Sequence, residues 1–311
     1  MPGPGTENEV RQSTAGETRL RIGPAGWSYP DWHGFVYPSR KPKGFQELSL
    51  LASIFDTIEI NTSFYRPLNP QHVRMWLERV SFNPNFKFTA KLWRAYTHEG
   101  SITAEEEKQV RQGFDLLRQD NKLGAILVQF PFSFHRTTES VNTLANLLEK
   151  FRAYPLVVEL RHETWNVAET YALLRKAGAG FCNIDQPIIG QSLRPSGVAT
   201  SDVGYVRLHG RRYDTWFSDD PALTAHERYN YLYGMEELRE WVPRTRKVME
   251  GSKDVFVVTN NHYQGKSVVT ALQLIHLLKG QAVKVPGTLL REYPKLKEIA
   301  LEEPPQGSLF S

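Results

Sequence analysis

With 311 residues, 40% hydrophobic and 23% charged, the chain has the make-up of a globular protein with a sizeable core, not of a fibrous or disordered one. Its one cysteine, Cys182, excludes an internal disulfide, and no run of about 18 apolar residues could form a membrane helix. A net charge of +4 suits anionic ligands or nucleic acid without singling them out.

The first 18 residues are rich in Gly, Pro, Glu, Thr and Ser and carry no apolar stretch of the kind a signal peptide needs. Residues 1–18 and the tail 301–311 are expected to be disordered arms flanking one domain, 19–300, in the cytoplasm. Residues 20–26 read as a short strand that enters the turn GPAGWSYPDW. Apolar spacing predicts a helix over 45–55. The stretch DTIEINTSFYRP then puts Ile58 and Ile60 on one side of a strand, with Glu59 and Asn61 on the other. A helix over 70–80 and a strand over 86–91 follow. The helix over 103–121 opens with Thr103 three residues before Glu106, a capping-box spacing. Further strands are expected at 125–130, 156–161, 181–185, 205–209 and 255–260. The helices between and after them fall at 138–151, 167–177, 224–249 and 267–278, with Gly178 as a stop and Pro243 as an interruption.

Strands alternating with helices argue a parallel sheet covered by helices. Eight extended segments in about 260 residues favour a single closed (β/α)8 TIM barrel over an open doubly wound sheet. The turn GPAGWS lacks the G-x-G-x-x-G dinucleotide fingerprint, and no phosphate-binding P-loop is present. Cys182, in the apolar run GFCNI, is expected to be a buried structural thiol.

In such a barrel alternate strand residues face the lumen, and active sites gather at the carboxyl ends of the strands. Parity then places Lys87, Thr89 and Lys91 inward, with Glu159 and Arg161, Asn183 and Asp185, and Arg207, His209 and Arg211. Gln129, Asn260 and Asn261 close their own strands. Any one charge in a strand is ordinarily solvated or paired, but recurrence on at least five strands points to a shared polar site. Glu59, Glu159, Asp185 and His209 are the candidate acid–base groups. Lys91, Arg161, Arg207 and Arg211 are candidate ligands for an anion, since a guanidinium fork suits phosphate or carboxylate. His162 and His209 with the carboxylates could hold a divalent metal. That is the less favoured expectation: no H-E-x-x-H spacing occurs and each acid has a basic neighbour. No cofactor is otherwise indicated.

The segments GPAGWSYPDWHGFVYP, EINTSFYRPL, FTAKLWRAYTH, LVQFPFSF, VELRHETW, DQP, YVRLHGR and TNNHYQGKSV resemble, in order, the motifs of the YecE-like family, the domain of unknown function numbered 72. The resemblance implies a TIM barrel and no particular reaction. It groups Glu59, Asn61, Tyr65, Lys91, His98, Gln129, Glu159, Arg161, His162, Trp165, Asp185, Arg207, His209, Gly210, Arg211, Asn260 and Asn261 as motif residues. In the tail, QGSLF is similar to the short peptide that docks bacterial DNA-processing proteins into the sliding clamp, through Gln306, Leu309 and Phe310. Here Gly307 stands at the usually apolar second position. The leading expectation is an enzyme acting on a phosphorylated or otherwise anionic substrate, with phosphodiester or glycoside hydrolysis as its variants. Asn61, Tyr65, Gln129, His162, Trp165, Asn260 and Asn261 would help to bind that substrate. The rival expectation is a non-catalytic protein that binds a nucleotide or nucleic acid, associated with the clamp through its tail.

Overall fold

A computed structural model describes residues 18–98, 100–214, 216 and 227–301. The expected disordered arm and tail therefore lie outside the described residues, apart from Thr18 and Leu301, and the clamp-like peptide lies wholly outside them. Eight parallel strands form one sheet: β1 Arg19–Pro24, β2 Thr57–Ile60, β3 Lys87–Lys91, β4 Leu123–Gln129, β5 Leu156–Glu159, β6 Gly180–Asp185, β7 Val203–Leu208 and β8 Asp254–Thr259. In the order β1-β8-β7-β6-β5-β4-β3-β2 the chain's first and last strands pair, and the seam lies between β1 and β2. There an Ala25–Glu59 bridge and a 2.8 Å bond from the Gly26 amide to the Glu59 carbonyl close the barrel. Gly23 makes that approach feasible, because a Cβ on it would stand 1.8 Å from the Thr57 carbonyl oxygen.

The helices are α1 Glu47–Ala52, α2 Pro70–Val80, α3 Ala104–Gln119, α4 Thr138–Lys150, α5 Ala168–Ala177, α6 Met235–Arg239, α7 Trp241–Glu250, α8 Lys266–Lys279 and α9 Gly287–Glu292. Their apolar faces pack on the outward residues of the strands, such as Ile58, Phe88, Val158 and Val206, and this layer is the main core. The capping box at Thr103 and Glu106 forms as expected. Gly178 ends α5 in the left-handed conformation, where a side chain would be strained. The helix expected over 224–249 is instead two helices meeting at Glu240. Pro243 falls in the first turn of α7, where its missing N–H breaks no helical bond. No helix separates β6 from β7; residues 186–202 cross irregularly.

The amino ends of the strands form a floor. Arg21, on β1, bonds to Asp254 (2.5 Å) and to the Asn85 carbonyl (2.9 Å), and lies over the Phe256 ring. Gly124, opposite on β4, leaves room for that ring, whose edge would come within 2.4 Å of a Cβ. Among the described residues no helix is long and apolar enough to cross a membrane.

Candidate active site at the carboxyl ends of the strands

Strand register settles which side chains share the lumen, because Cα partners in a parallel ladder point the same way. Glu59 pairs with Thr89, Lys91 with Leu127, and Gln129 with Glu159. Cys182 pairs with Tyr205, Ile184 with Arg207, and Arg207 with Val258. The carboxyl-end part of the lumen thus holds Glu59, Lys91, Gln129, Glu159, Arg207, His209 and Asn260. Tyr205, Thr89 and Cys182 lie beneath it.

Arg207 is the hub and is fully buried. Its Nε and Nη2 grip Glu59 at 3.0 and 2.7 Å, while Nη1 reaches Glu159 at 3.1 Å and Gln129 at 3.4 Å. The Tyr205 hydroxyl stands 2.9 Å from both Glu59 Oε2 and Thr89 Oγ1. Arg161, partly exposed above, donates from Nε to Glu159 Oε1 at 2.9 Å and pairs with the same oxygen through Nη2 at 2.8 Å. Two carboxylates and two guanidiniums therefore neutralise one another in a buried chain.

Burial alone would discharge these groups, and the pairing reverses that pressure. Glu159 is held well below the usual carboxylate range because Arg207, Arg161 and His209 more than offset its desolvation. Arg207 is pushed further up by Glu59 and Glu159 against its own desolvation. His209 goes the other way: burial, aided by Arg207, lowers it to about 3 despite the attraction of Glu159. The imidazole is thus neutral at pH 7. Asn260 Nδ2 lies 3.2 Å from Nδ1, which must accept, so Nε2 carries the hydrogen towards Glu159 Oε1 at 3.3 Å.

Lys91 is different. Among the described residues its ammonium has no hydrogen bond and no ion pair; the Phe64 ring centroid lies 5.2 Å away. Burial and the neighbouring Arg207 lower its pKa to about 7, although Glu59 and Glu159 act to raise it. The carboxylates that would otherwise pair with it are occupied by arginine. Trp216 covers the same end, with its ring 5.9 Å from the Arg161 guanidinium and 5.8 Å from His209.

Four expected members stand elsewhere, and the reason lies in the backbone. The expectation that Asn183 and Asp185 face the lumen is overturned, since β6 points Cys182 and Ile184 inward instead. Asn183 Oδ1 accepts from the Val198 amide and Ser196, tying down the crossing to β7. Asp185 pairs with Arg211 at 3.1 Å, and Arg211 continues to Glu237 and Glu240 around α6. Burial raises the Asp185 pKa against the pull of Arg211. Arg211 leaves the lumen because Gly210, at φ +95°, breaks the alternation after β7. Asn261 also turns outward, donating to the Tyr231 carbonyl and Thr270 beside α8.

The remaining expected residues form the rim. Asn61 donates to the Tyr29 hydroxyl (3.1 Å) and helps line a cavity of about 310 Å³ with Trp27, Tyr29 and Trp76. Tyr65 is 68% exposed, so it can meet an arriving molecule. His162 is pinned between Gln191 and Thr164, 3.9 Å from the His135 ring. Trp165 is fully buried, donates to the Phe134 carbonyl and stacks on that ring, so its place is packing. Tyr205, Cys182 and Ile184 also face inward, and none of them is among the residues expected there. Tyr205 shares parity with Arg207 and His209, so the signal for it was present. Among the described residues no three His, Cys, Asp or Glu side chains are grouped to hold a metal ion.

A family model described as "Protein of unknown function DUF72" matches residues 21–295 and so spans every strand that supplies this site. The chain belongs to the DUF72 family. It is 27% identical over 272 residues to the UPF0759 protein YunF of Bacillus subtilis (strain 168), covering 83% of this chain and 94% of that one. A crystal structure of a DUF72 family protein from Thermotoga maritima MSB8 superposes with a TM-score of 0.74 at 31% identity, over 84% of this chain and 99% of the other. A second, from Enterococcus faecalis V583, gives 0.71 at 23% identity, over 84% and 95%, and speaks to the fold alone.

Proposed function

We propose that this DUF72 barrel is an enzyme and that its substrate brings a negative charge to Lys91 and Arg161. One observation carries the reading: among the described residues Lys91 is an unpaired amine, above an ion cluster that is already neutral. The buried pairs Glu59–Arg207 and Glu159–Arg161 cancel, and His209 is uncharged, so a protonated Lys91 leaves the mouth with one positive charge to satisfy. The geometry of Arg161 adds to this, because its contacts with Glu159 use Nε and Nη2, and among the described residues Nη1 is left over for a ligand. An amine half-protonated near neutral pH is suited to acid–base or nucleophilic work. Hydrolysis of a phosphodiester or glycoside is the less well supported variant. Glycoside cleavage asks a carboxyl group to donate a proton, and Glu159 is held as a carboxylate by its arginines.

Calorimetric titration with inorganic phosphate tests the anion reading. An anion beside Lys91 raises its pKa, so binding at pH 7.5 takes up a proton and the measured heat depends on the buffer's ionisation enthalpy. Lys91→Met should weaken binding about tenfold or more, the scale of a charge-assisted hydrogen bond. Binding that ignores both Lys91→Met and Arg161→Gln would place the anion elsewhere. Anion binding without turnover across phosphomonoesters, phosphodiesters, glycosides and oxo acids, with and without divalent metals, would favour a non-catalytic binding protein.

A further inference from the structure

We infer that Lys91 is a nucleophilic amine which condenses with the carbonyl of an anionic aldehyde or ketone to form an imine. This rests on the reading of the mouth as an anion-binding active site and names its substrate class. Four features of the site carry the inference. Lys91 ends β3 on the lumenal face, one inward position above Thr89, where a reacting carbon could arrive from the open end. Its amine is uncommitted among the described residues. The Phe64 ring, with its centroid 5.2 Å from the amine, lies beside it and helps to fix its position at the mouth. Arg161, on the neighbouring rim, has Nη1 over, among the described residues, to hold the carboxylate or phosphate of the same molecule.

The charged groups that face Lys91 are Glu59 on β2, Glu159 on β5, Arg161 just past β5, and Arg207 on β7. Together with burial they bring the amine to about 7, so a large share of it carries a free electron pair at neutral pH. That pair attacks the carbonyl carbon, and the C=O π pair moves to oxygen. The nitrogen loses a proton as the oxygen gains one, giving a carbinolamine. The nitrogen pair then expels the oxygen, which leaves as water after taking one proton from solvent, and a protonated imine remains. Amine, carbonyl and one proton thus become iminium and water, with no oxidant or metal required.

Trapping decides the matter. The full chain is incubated with pyruvate or dihydroxyacetone phosphate and sodium cyanoborohydride, whose hydride reduces the iminium carbon and leaves a stable secondary amine. Intact mass followed by peptide mapping should show one adduct per chain, on the peptide holding Lys91, in about tenfold or greater excess over any other lysine. Its yield should reach half its maximum near pH 7. Excess inorganic phosphate should suppress it, and Lys91→Arg, which keeps the positive charge, should abolish it. Adducts scattered over surface lysines, or none at Lys91 with either probe, overturn the inference. Lactate and glycerol 3-phosphate, which carry the anion without a carbonyl, separate the two layers of the proposal. If they bind and the carbonyl probes still leave Lys91 unmodified, the imine falls and the anion site stands. If none of the four binds, both fall.

Discussion

Arg207 concentrates the physical risk of this site in one side chain. It is a fully buried cation whose three guanidinium nitrogens are committed to Glu59, Glu159 and Gln129. Removing it strands Glu59 in the lumen with the Tyr205 hydroxyl as its remaining side-chain donor among the described residues. Truncating one partner of a buried ion pair typically costs about 3–5 kcal/mol. Arg207→Met should therefore lose stability on that scale in urea denaturation, and adding Glu59→Gln should recover part of the loss. If the single variant is as stable as the parent, the cluster is not the closed ion network described. Tyr205→Phe is the milder counterpart: the Arg207 fork still holds Glu59, and the expected loss is about 1 kcal/mol. Parity places Glu59, Lys91, Glu159, Arg207 and His209 inward, where the structure has them, but it places Asp185 and Arg211 there as well, and these pair with each other beside α6 instead. Nor could it show which carboxylate each arginine takes. That choice depends on the barrel bringing β2 and β5 within reach of β7, a distance no strand encodes by itself.

At the level of elements, β6 shows why parity misled. All six residues of GFCNID are buried, so both faces are dry and apolar character does not mark the inward one. Asn183 is polar because it anchors an irregular crossing, whose Val198 amide and Ser196 hydroxyl both donate to its Oδ1. Asn183→Leu should thus cost about 1–3 kcal/mol in denaturant unfolding, the penalty for leaving buried polar partners unpaired. It should leave phosphate binding unchanged; a loss of binding with stability intact would put Asn183 back in the site. The seam between β1 and β2 is the second element-level device. Gly23→Ala places a methyl group 1.8 Å from a backbone carbonyl, which cannot swing aside as a side chain can. The expected result is a loss of about 3 kcal/mol or more, with faster amide exchange along β1 and β2. Protection unchanged on both strands would mean that the barrel closes some other way.

Across the whole molecule, the lumen works as a polar clamp joining strands that are not neighbours in the sheet. Arg207 ties β7 to β2 and β5, Tyr205 reaches Thr89 on β3, and His209, just past β7, meets Glu159 on β5. The clamp makes stability depend on pH with a sign that can be worked out. His209 has a native pKa of about 3, against the ordinary 6.5 of an unfolded histidine. Between those values the unfolded chain binds the extra proton, so stability rises with pH in that window and is lost as pH falls through it. Lys91 does the same between about 7 and the ordinary 10.5, where the unfolded lysine is protonated and the native one is not. Each such group contributes a slope of up to about 1.4 kcal/mol per pH unit within its window. The groups facing His209 are Glu159, Arg207 and Arg161, and protonation of Glu159 at the acid end works in the same direction. Lys87, Lys122 and Lys266 are also lowered by burial, so the alkaline test is a difference measurement. Urea unfolding followed from pH 3 to 10 should give Lys91→Met a flatter rise than the parent above pH 7 and a parallel curve below it. His209→Asn should flatten the rise between pH 3 and 6.5 while leaving the alkaline limb alone. Parallel curves for Lys91→Met throughout would mean that its amine is as well solvated in the native barrel as in the unfolded chain, and the mouth would then lack the unpaired, half-protonated group on which its proposed chemistry depends.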